Sequence, residues 1–207
     1  MRGLLAVVAF TIGALAAGAA IASEERAHAI FAGGCFWCVE ADFDKIEGVV
    51  ETASGYTGGD VADPTYEQVV AGGTGHREVV RITYDPAVVT YDELLTAFWH
   101  SVDPTDDGGQ FCDRGFSYTT AIYAVDEAQR TAAEASKEAV ADDLAVDGEI
   151  VTPIVDAGPF YIAEGYHQNY YEKNPARYKF YRWSCGRNDR VREVWGDDAF
   201  AGIPGLD

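Results

Sequence analysis

The chain has 207 residues, with 34 acidic against 15 basic side chains and a formal net charge of -19. A surface of that sign repels phosphate backbones, so nucleic acid is excluded as a partner, while the charge itself implies only solubility. All four cysteines, Cys35, Cys38, Cys112 and Cys185, follow an N-terminal apolar stretch, and two structural disulfides are the plain expectation for an even count in an exported chain.

Arg2 precedes an apolar, alanine-rich run from Leu4 to Gly18, and Ala20-Ile21-Ala22 follows. A charged start, a hydrophobic stretch short for a membrane span and a small-x-small site read as a secretory signal cleaved after Ala22. No basic stop-transfer flank follows Ile21, which argues against a retained anchor. The pattern thus predicts a signal peptide over residues 1–22 and a single domain over residues 23–207. That domain is periplasmic or secreted and has no stable membrane insertion. Its length suffices for a core without metals or staples.

From His28 to Ala32 a short apolar strand feeds Gly33-Gly34, and Cys35 to about Lys45 carries Val39, Phe43 and Ile46 at helical spacing. Gly48 ends that helix, and the chain is extended from Val49 to Tyr56. The Gly58-Gly59-Asp60 to Pro64 segment is a loop opening a short helix from Tyr66 to Val70. Glu78 to Tyr84 alternates like a half-buried strand, which Asp85-Pro86 closes, and alternation alone leaves Glu78 readable as an exposed-face residue. Thr90 and Glu93 form a capping box for a helix from Tyr91 to about His100. Asp103 to Gly115 is the longest stretch without a regular pattern, and such loops tend to be functional. A strand from Tyr118 to Val125, an alanine-rich helix from Asp126 to about Ala145 and a strand from Ile150 to Val155 follow. The tail from Glu164 is aromatic and polar, helical near His167 to Lys173. The mixture without strict alternation predicts an α+β fold, a two-layer sandwich whose mixed sheet has a ferredoxin-like core and a long C-terminal extension.

Cys35 directly follows a Gly-Gly turn at a helix start, where unsatisfied N–H groups and the helix dipole favour a thiolate. The Cys35-Phe36-Trp37-Cys38 pair admits three readings. Structural zinc needs further ligands at short spacing, which neither Cys112 nor Cys185 supplies, so no metal is expected. A thioredoxin-like disulfide oxidoreductase fits strand, C-x-x-C and helix, but Phe36 and Trp37 stand where a partner disulfide must approach. The third reading makes those aromatics the wall of a pocket for an apolar, uncharged group at the Cys35 sulfur.

Six ordered motifs then carry a resemblance: Gly34-Cys35-Phe36-Trp37, Gly55-Tyr56-Thr57-Gly58-Gly59, Pro64-Thr65-Tyr66, Gly75-His76-Arg77-Glu78, Asp113-Arg114-Gly115 with Tyr118, and Tyr166-His167-Gln168. Over nearly all of the mature length the chain resembles the peptide methionine-(S)-sulfoxide reductases of the A class. The resemblance implies thiol-dependent reduction of methionine (S)-sulfoxide, free or in proteins, and repair of oxidised exported proteins. It makes Cys35 the nucleophile, Glu78 the acid, and Tyr66 and Tyr118 the phenolic donors to the departing oxygen. Phe36 and Trp37 would enclose the S-methyl group, Asp113 would orient substrate, and His76 and His167 would at most position neighbours. The scheme passes through a sulfenic acid on Cys35 and then an intramolecular disulfide, with no bound cofactor and an external dithiol of thioredoxin type. A monomer is expected. Relatives often resolve the sulfenic acid from a Gly-rich tail, which here is missing around Cys185. Cys38 lies three residues from Cys35 on the same side of the helix, within disulfide reach. Cys38 and Cys185 both stand as resolving candidates, with Cys112 behind them.

Overall fold

The computed structural model describes residues 26–206, so the signal segment lies outside the described residues. In chain order the elements are β1 (Ala27–Ala32), α1 (Phe36–Phe43), β2 (Val49–Thr57), α2 (Tyr66–Ala71), β3 (Arg77–Tyr84), α3 (Tyr91–Trp99), β4 (Gly109–Gln110) and β5 (Asp113–Arg114). Then come β6 (Ala121–Ala124), α4 (Glu127–Val140), β7 (Ile154–Asp156), β8 (Tyr161–Ile162), α5 (Tyr170–Lys173), α6 (Pro175–Ser184) and α7 (Arg187–Trp195). One sheet runs β7-β6-β1-β3-β2-β8, with only the β6–β7 pair parallel, and β4 and β5 form a separate small ladder. Its central order β6-β1-β3-β2, with α1 carrying the chain from β1 to β2, is the expected ferredoxin-like core of an α+β fold.

Apolar side chains of β1 and β3, among them Phe31, Val80 and Ile82, pack with Phe43 of α1 and Leu94, Phe98 and Trp99 of α3 in the main core. The opposite sheet face holds Ile30, Val79 and Tyr123 beneath Val155 and Phe160. Caps fix the helix starts: Thr65 with Gln68 and Thr90 with Glu93 form capping boxes, and Asp126 accepts from Gln129 N at 2.8 Å.

Several boundaries differ from those the sequence predicts. α4 stops at Val140 rather than near Ala145, because Ala145 N donates to Val194 O of α7 at 2.8 Å. β7 starts only at Ile154, since Pro153 has no N–H to give a ladder. β6 starts at Ala121, and Phe116–Tyr118 forms a 3₁₀ turn behind Gly115, whose φ is +116°. His167 lies ahead of α5, which begins beyond Asn169 at φ +52°. The C-terminal extension is well packed: α7 buries Val191, Val194 and Trp195, and Trp195 Nε1 donates to Val102 O at 2.8 Å. No helix of the described residues is long and apolar enough to cross a membrane.

Cys112 and Cys185 form a disulfide across 73 residues, which ties the α6–α7 junction to the 103–115 loop. Closing a loop of that length restricts the unfolded chain, so replacing both by serine should lower unfolding stability by roughly 2–4 kcal/mol. Urea denaturation of the paired variant checks this; an unchanged midpoint would show a bond with no structural role.

Candidate active site

β1 delivers the chain into Gly33-Gly34. Gly34 has φ +83°, and a Cβ there would stand 2.6 Å from Gln110 Cβ. Only glycine therefore permits both the turn and the seating of the 103–115 loop against it. Gln110 is fully buried, holds that loop by accepting from Asp103 N at 2.9 Å, and donates to Asp103 O at 2.7 Å. The turn sets Cys35 as the N-cap of α1, without a side-chain capping bond.

The two thiols of α1 are both free, buried and in hydrogen-bond contact. Their protonation reverses the expectation of a resting Cys35 thiolate. Burial pushes the Cys35 thiol well up, and the Cys38 sulfur together with the carboxylates of Glu78 and Asp113 adds to this. Cys38 goes the other way, down to about 7: the hydrogen bond from Cys35 stabilises its charged form, opposed by burial and assisted by Arg187 and Arg182. Desolvation at Cys35 outweighs the helix dipole, whose pull is modest.

Glu78 is 1% exposed, which corrects the exposed-face reading. It shares strand parity with Val80, Ile82 and Tyr84, whose side chains build the core face of β3. Its Oε2 accepts from Phe36 N at 3.0 Å. Burial lifts its carboxyl to about 8, against the bonds from Phe36 and Tyr118. At neutral pH it is a neutral acid.

Tyr118, turned inwards by the 3₁₀ segment, hydrogen-bonds both Glu78 and Tyr66. Burial raises both phenols, so they remain donors. Tyr66 is held by its backbone N–H donating to Glu164 Oε1 at 2.9 Å, while Tyr56 OH donates to Glu164 Oε2 at 2.9 Å. Trp37 stacks on Tyr170 with centroids 3.7 Å apart, and its Nε1 donates to His167 Nδ1 at 2.9 Å. His167 also packs on Phe36 at 4.8 Å and Tyr66 at 4.5 Å, and burial depresses its basicity. His76 accepts from Gly59 N at 3.1 Å and meets Val61 O at 2.7 Å, bracing the 58–61 loop rather than the site.

Asp113 joins the group from β5, where its carboxylate accepts a bond from Tyr181 OH. Burial raises its carboxyl, against Tyr181 and Arg187. Its neighbour Cys112 is in the disulfide, whose other half, Cys185 Sγ, lies 4.0 Å from Asp113 Oδ2. Cys112, Asp113 and Cys185 are the one grouping among the described residues with metal-ligand proximity. Bonded to each other, these sulfurs are not thiolate ligands.

The structure thus gathers Cys35, Cys38, Glu78, Tyr66, Tyr118, Phe36, Trp37 and Asp113 around one sulfur. Sequence reasoning missed Glu164 and Tyr181. Glu164 stands two residues before the Tyr166-His167-Gln168 motif, a faint signal; nothing local marks Tyr181, which reaches the site only because α6 docks there. An apolar enclosure, a nucleophilic sulfur and protonated oxygen acids on one side suit a neutral S=O group, whose oxygen leaves once protonated.

A family model described as peptide methionine sulfoxide reductase matches residues 27–199. The chain is 53% identical over 181 residues to the peptide methionine sulfoxide reductase MsrA 2 of Rhizobium meliloti (strain 1021), covering 87% of this chain and 89% of that protein. It is 51% identical over 174 residues to MsrA of Bacillus subtilis (strain 168), covering 84% and 98%. Among solved structures it is similar to reduced Mxr1 of Saccharomyces cerevisiae, with TM-score 0.69 and 31% identity over 73% of this chain and 87% of that one. Methionine sulfoxide reductase A of Corynebacterium diphtheriae gives TM-score 0.69 and 37% identity over 72% and 76%. With this coverage and identity, the chain belongs to the peptide methionine sulfoxide reductase family and is an oxidoreductase acting on methionine (S)-sulfoxide.

Proposed function

We propose that Cys35 is the nucleophile of this reduction and that Cys38 resolves it. One observation carries the reading: two free thiols in hydrogen-bond contact lie beside a protonated, buried Glu78, while Cys112 and Cys185 are consumed in their own bond. The Cys35 proton passes to the Cys38 sulfur, and Cys35 attacks the sulfoxide sulfur. Glu78, backed by Tyr118 and Tyr66, gives its proton to the oxygen, which leaves the substrate sulfur as hydroxide with the S–O pair. Hydroxide then adds to the Cys35 sulfur, and the pair of the bond between Cys35 and the substrate sulfur returns to the product sulfur as methionine leaves. Cys35 is then a sulfenic acid. Cys38 returns its proton to Glu78 and attacks Cys35 as the thiolate, forming the S–S bond while hydroxide departs protonated as water.

Phe36 and Trp37 form the wall for the S-methyl group, and Asp113, steadied by Tyr181, orients the substrate backbone. The disulfide product needs an outside dithiol. A thioredoxin-type protein suits that step, and the relative Mxr1 also has a structure in complex with Trx2. Single-turnover methionine yield and thiol mapping on Cys38→Ser and Cys185→Ser test the assignment. The first should release about one methionine per enzyme and stall, and normal turnover in Cys38→Ser would sink it.

The substrates are oxidised exported proteins or free methionine sulfoxide, on the strength of the Arg2, Leu4 to Gly18 and Ala20-Ile21-Ala22 pattern. N-terminal sequencing of the protein from its host should start at Ser23. An uncleaved Met1 start in the cytoplasm would overturn the exported location.

A further inference from the structure

Beneath Cys38 lies a buried charged cluster that the reduction step does not use. Asp42, one helical turn after Cys38 on α1, is fully buried and accepts from Arg182 Nη1 at 2.7 Å. Arg182 also donates to Tyr178 OH at 3.0 Å, and Tyr178 shares a buried cluster with Cys38, Ala41 and Tyr170. Arg187, 1% exposed, donates to Gly33 O at 3.1 Å and to Ser101 O at 2.9 Å, so it braces the turn that presents Cys35. Its Nε stands 4.0 Å from Asp42 Oδ2.

One carboxylate therefore faces two buried guanidinium groups. Arg182 Nη2 and Arg187 Nε are buried with no hydrogen-bond partner, and Asp42 Oδ2 likewise. A buried cation short of a counter-ion is costly unless a further negative group shares its space. The titratable and charged groups near the Cys38 sulfur are Cys35 at the N-cap of α1, Asp42 on α1, Glu78 on β3, Tyr178, Tyr181 and Arg182 on α6, and Arg187 on α7. Of these groups the two arginines are the cations.

We propose that Arg182 and Arg187 are positioning residues for the resolving thiol, holding the Cys38 sulfur as the thiolate that attacks the Cys35 sulfenic acid and leaves when the external dithiol reduces the disulfide. In the first step the Cys38 electron pair forms the S–S bond, the Cys35 S–O bond breaks, and the oxygen departs as water with a proton from Glu78. In the second step a reductant thiolate attacks the Cys35 sulfur, and the pair of the broken S–S bond returns to Cys38 opposite the guanidinium groups. A stabilised thiolate is the better leaving group, so the cluster directs the mixed disulfide to Cys35. Cys185 sits between the two arginines in sequence, so the Cys112–Cys185 bond anchors the junction that carries them.

The inference rests on Cys38 as resolver, and the experiments separate the two. In Cys35→Ser, with the 112–185 bond intact, Cys38 is the free thiol, and ultraviolet thiolate absorbance against pH reads its titration. Adding Arg182→Met with Asp42→Asn, which removes a cation and an anion together and keeps Arg187 as the remaining buried cation, should move the midpoint up by about one pH unit. Asp42→Asn alone should move it down, an effect that a purely structural cluster would not produce. Arg182→Lys should stay near the parent. In the Cys35 background, Arg182→Met/Asp42→Asn should accumulate sulfenic acid, trapped by a cyclic diketone, where the parent accumulates disulfide. Unmoved midpoints in both the double variant and Asp42→Asn overturn the inference and leave the resolver intact. Normal dithiol-coupled turnover in Cys38→Ser overturns the resolver and the inference with it.

Discussion

Cys35→Ser is expected to abolish methionine formation outright, with no burst and no slow residual turnover. A serine hydroxyl at neutral pH is a far poorer nucleophile towards sulfur and forms no sulfenic acid. The fold should survive, because Cys35 makes no side-chain cap and Ser keeps a donor towards the Cys38 sulfur. Single-turnover methionine yield from an oxidised peptide checks it, with circular dichroism confirming the fold. Any sulfoxide conversion above the uncatalysed rate would refute the mechanism. Its burial also separates Cys35 from an ordinary activated thiol: the resting thiol is pushed up, so mild alkylation near neutral pH should spare it, and its reactivity depends on passing its proton to a neighbour.

Glu78→Gln should slow methionine formation by roughly 10²-fold or more while leaving substrate affinity nearly unchanged, the scale of a lost general acid. The amide keeps the shape and can still accept from Phe36 N, the bond seen at 3.0 Å. The pH profile gives a sharper result. Burial lifts the carboxyl to about 8, so it is neutral and able to donate below that pH, and ionised above it. From this group, kcat/KM should fall as pH rises through about 8, and Glu78→Gln should lack that alkaline limb. An unchanged single-turnover rate, or an alkaline limb retained in the variant, would return Glu78 to an ordinary strand residue.

Much of the fold was legible because it rests on local rules. The capping box of Thr90 and Glu93, the Gly33-Gly34 turn and the apolar spacing of Val39, Phe43 and Ile46 each act within a few residues. Glu78 was legible too, had its parity with Val80, Ile82 and Tyr84 been followed instead of its charge. The end of α4 was not, since Ala145 N donates to Val194 O of α7 at 2.8 Å, a partner far off in sequence.

By itself the sequence determined the candidate groups, a cysteine behind two glycines, a glutamate on a strand, tyrosines and a tryptophan in ordered motifs, and through them the family. Only the tertiary structure decided which thiols are free and which way each is shifted. Whether a sulfur is charged depends on desolvation and on charges within a few ångströms, and those neighbours come from β3, β5, α6 and α7, far away along the chain. Cys35 is thereby kept protonated by burial beside Glu78 and Asp113, Cys38 is lowered by its hydrogen bond from Cys35 and by the charges of Arg187 and Arg182, and Cys185 is committed to Cys112.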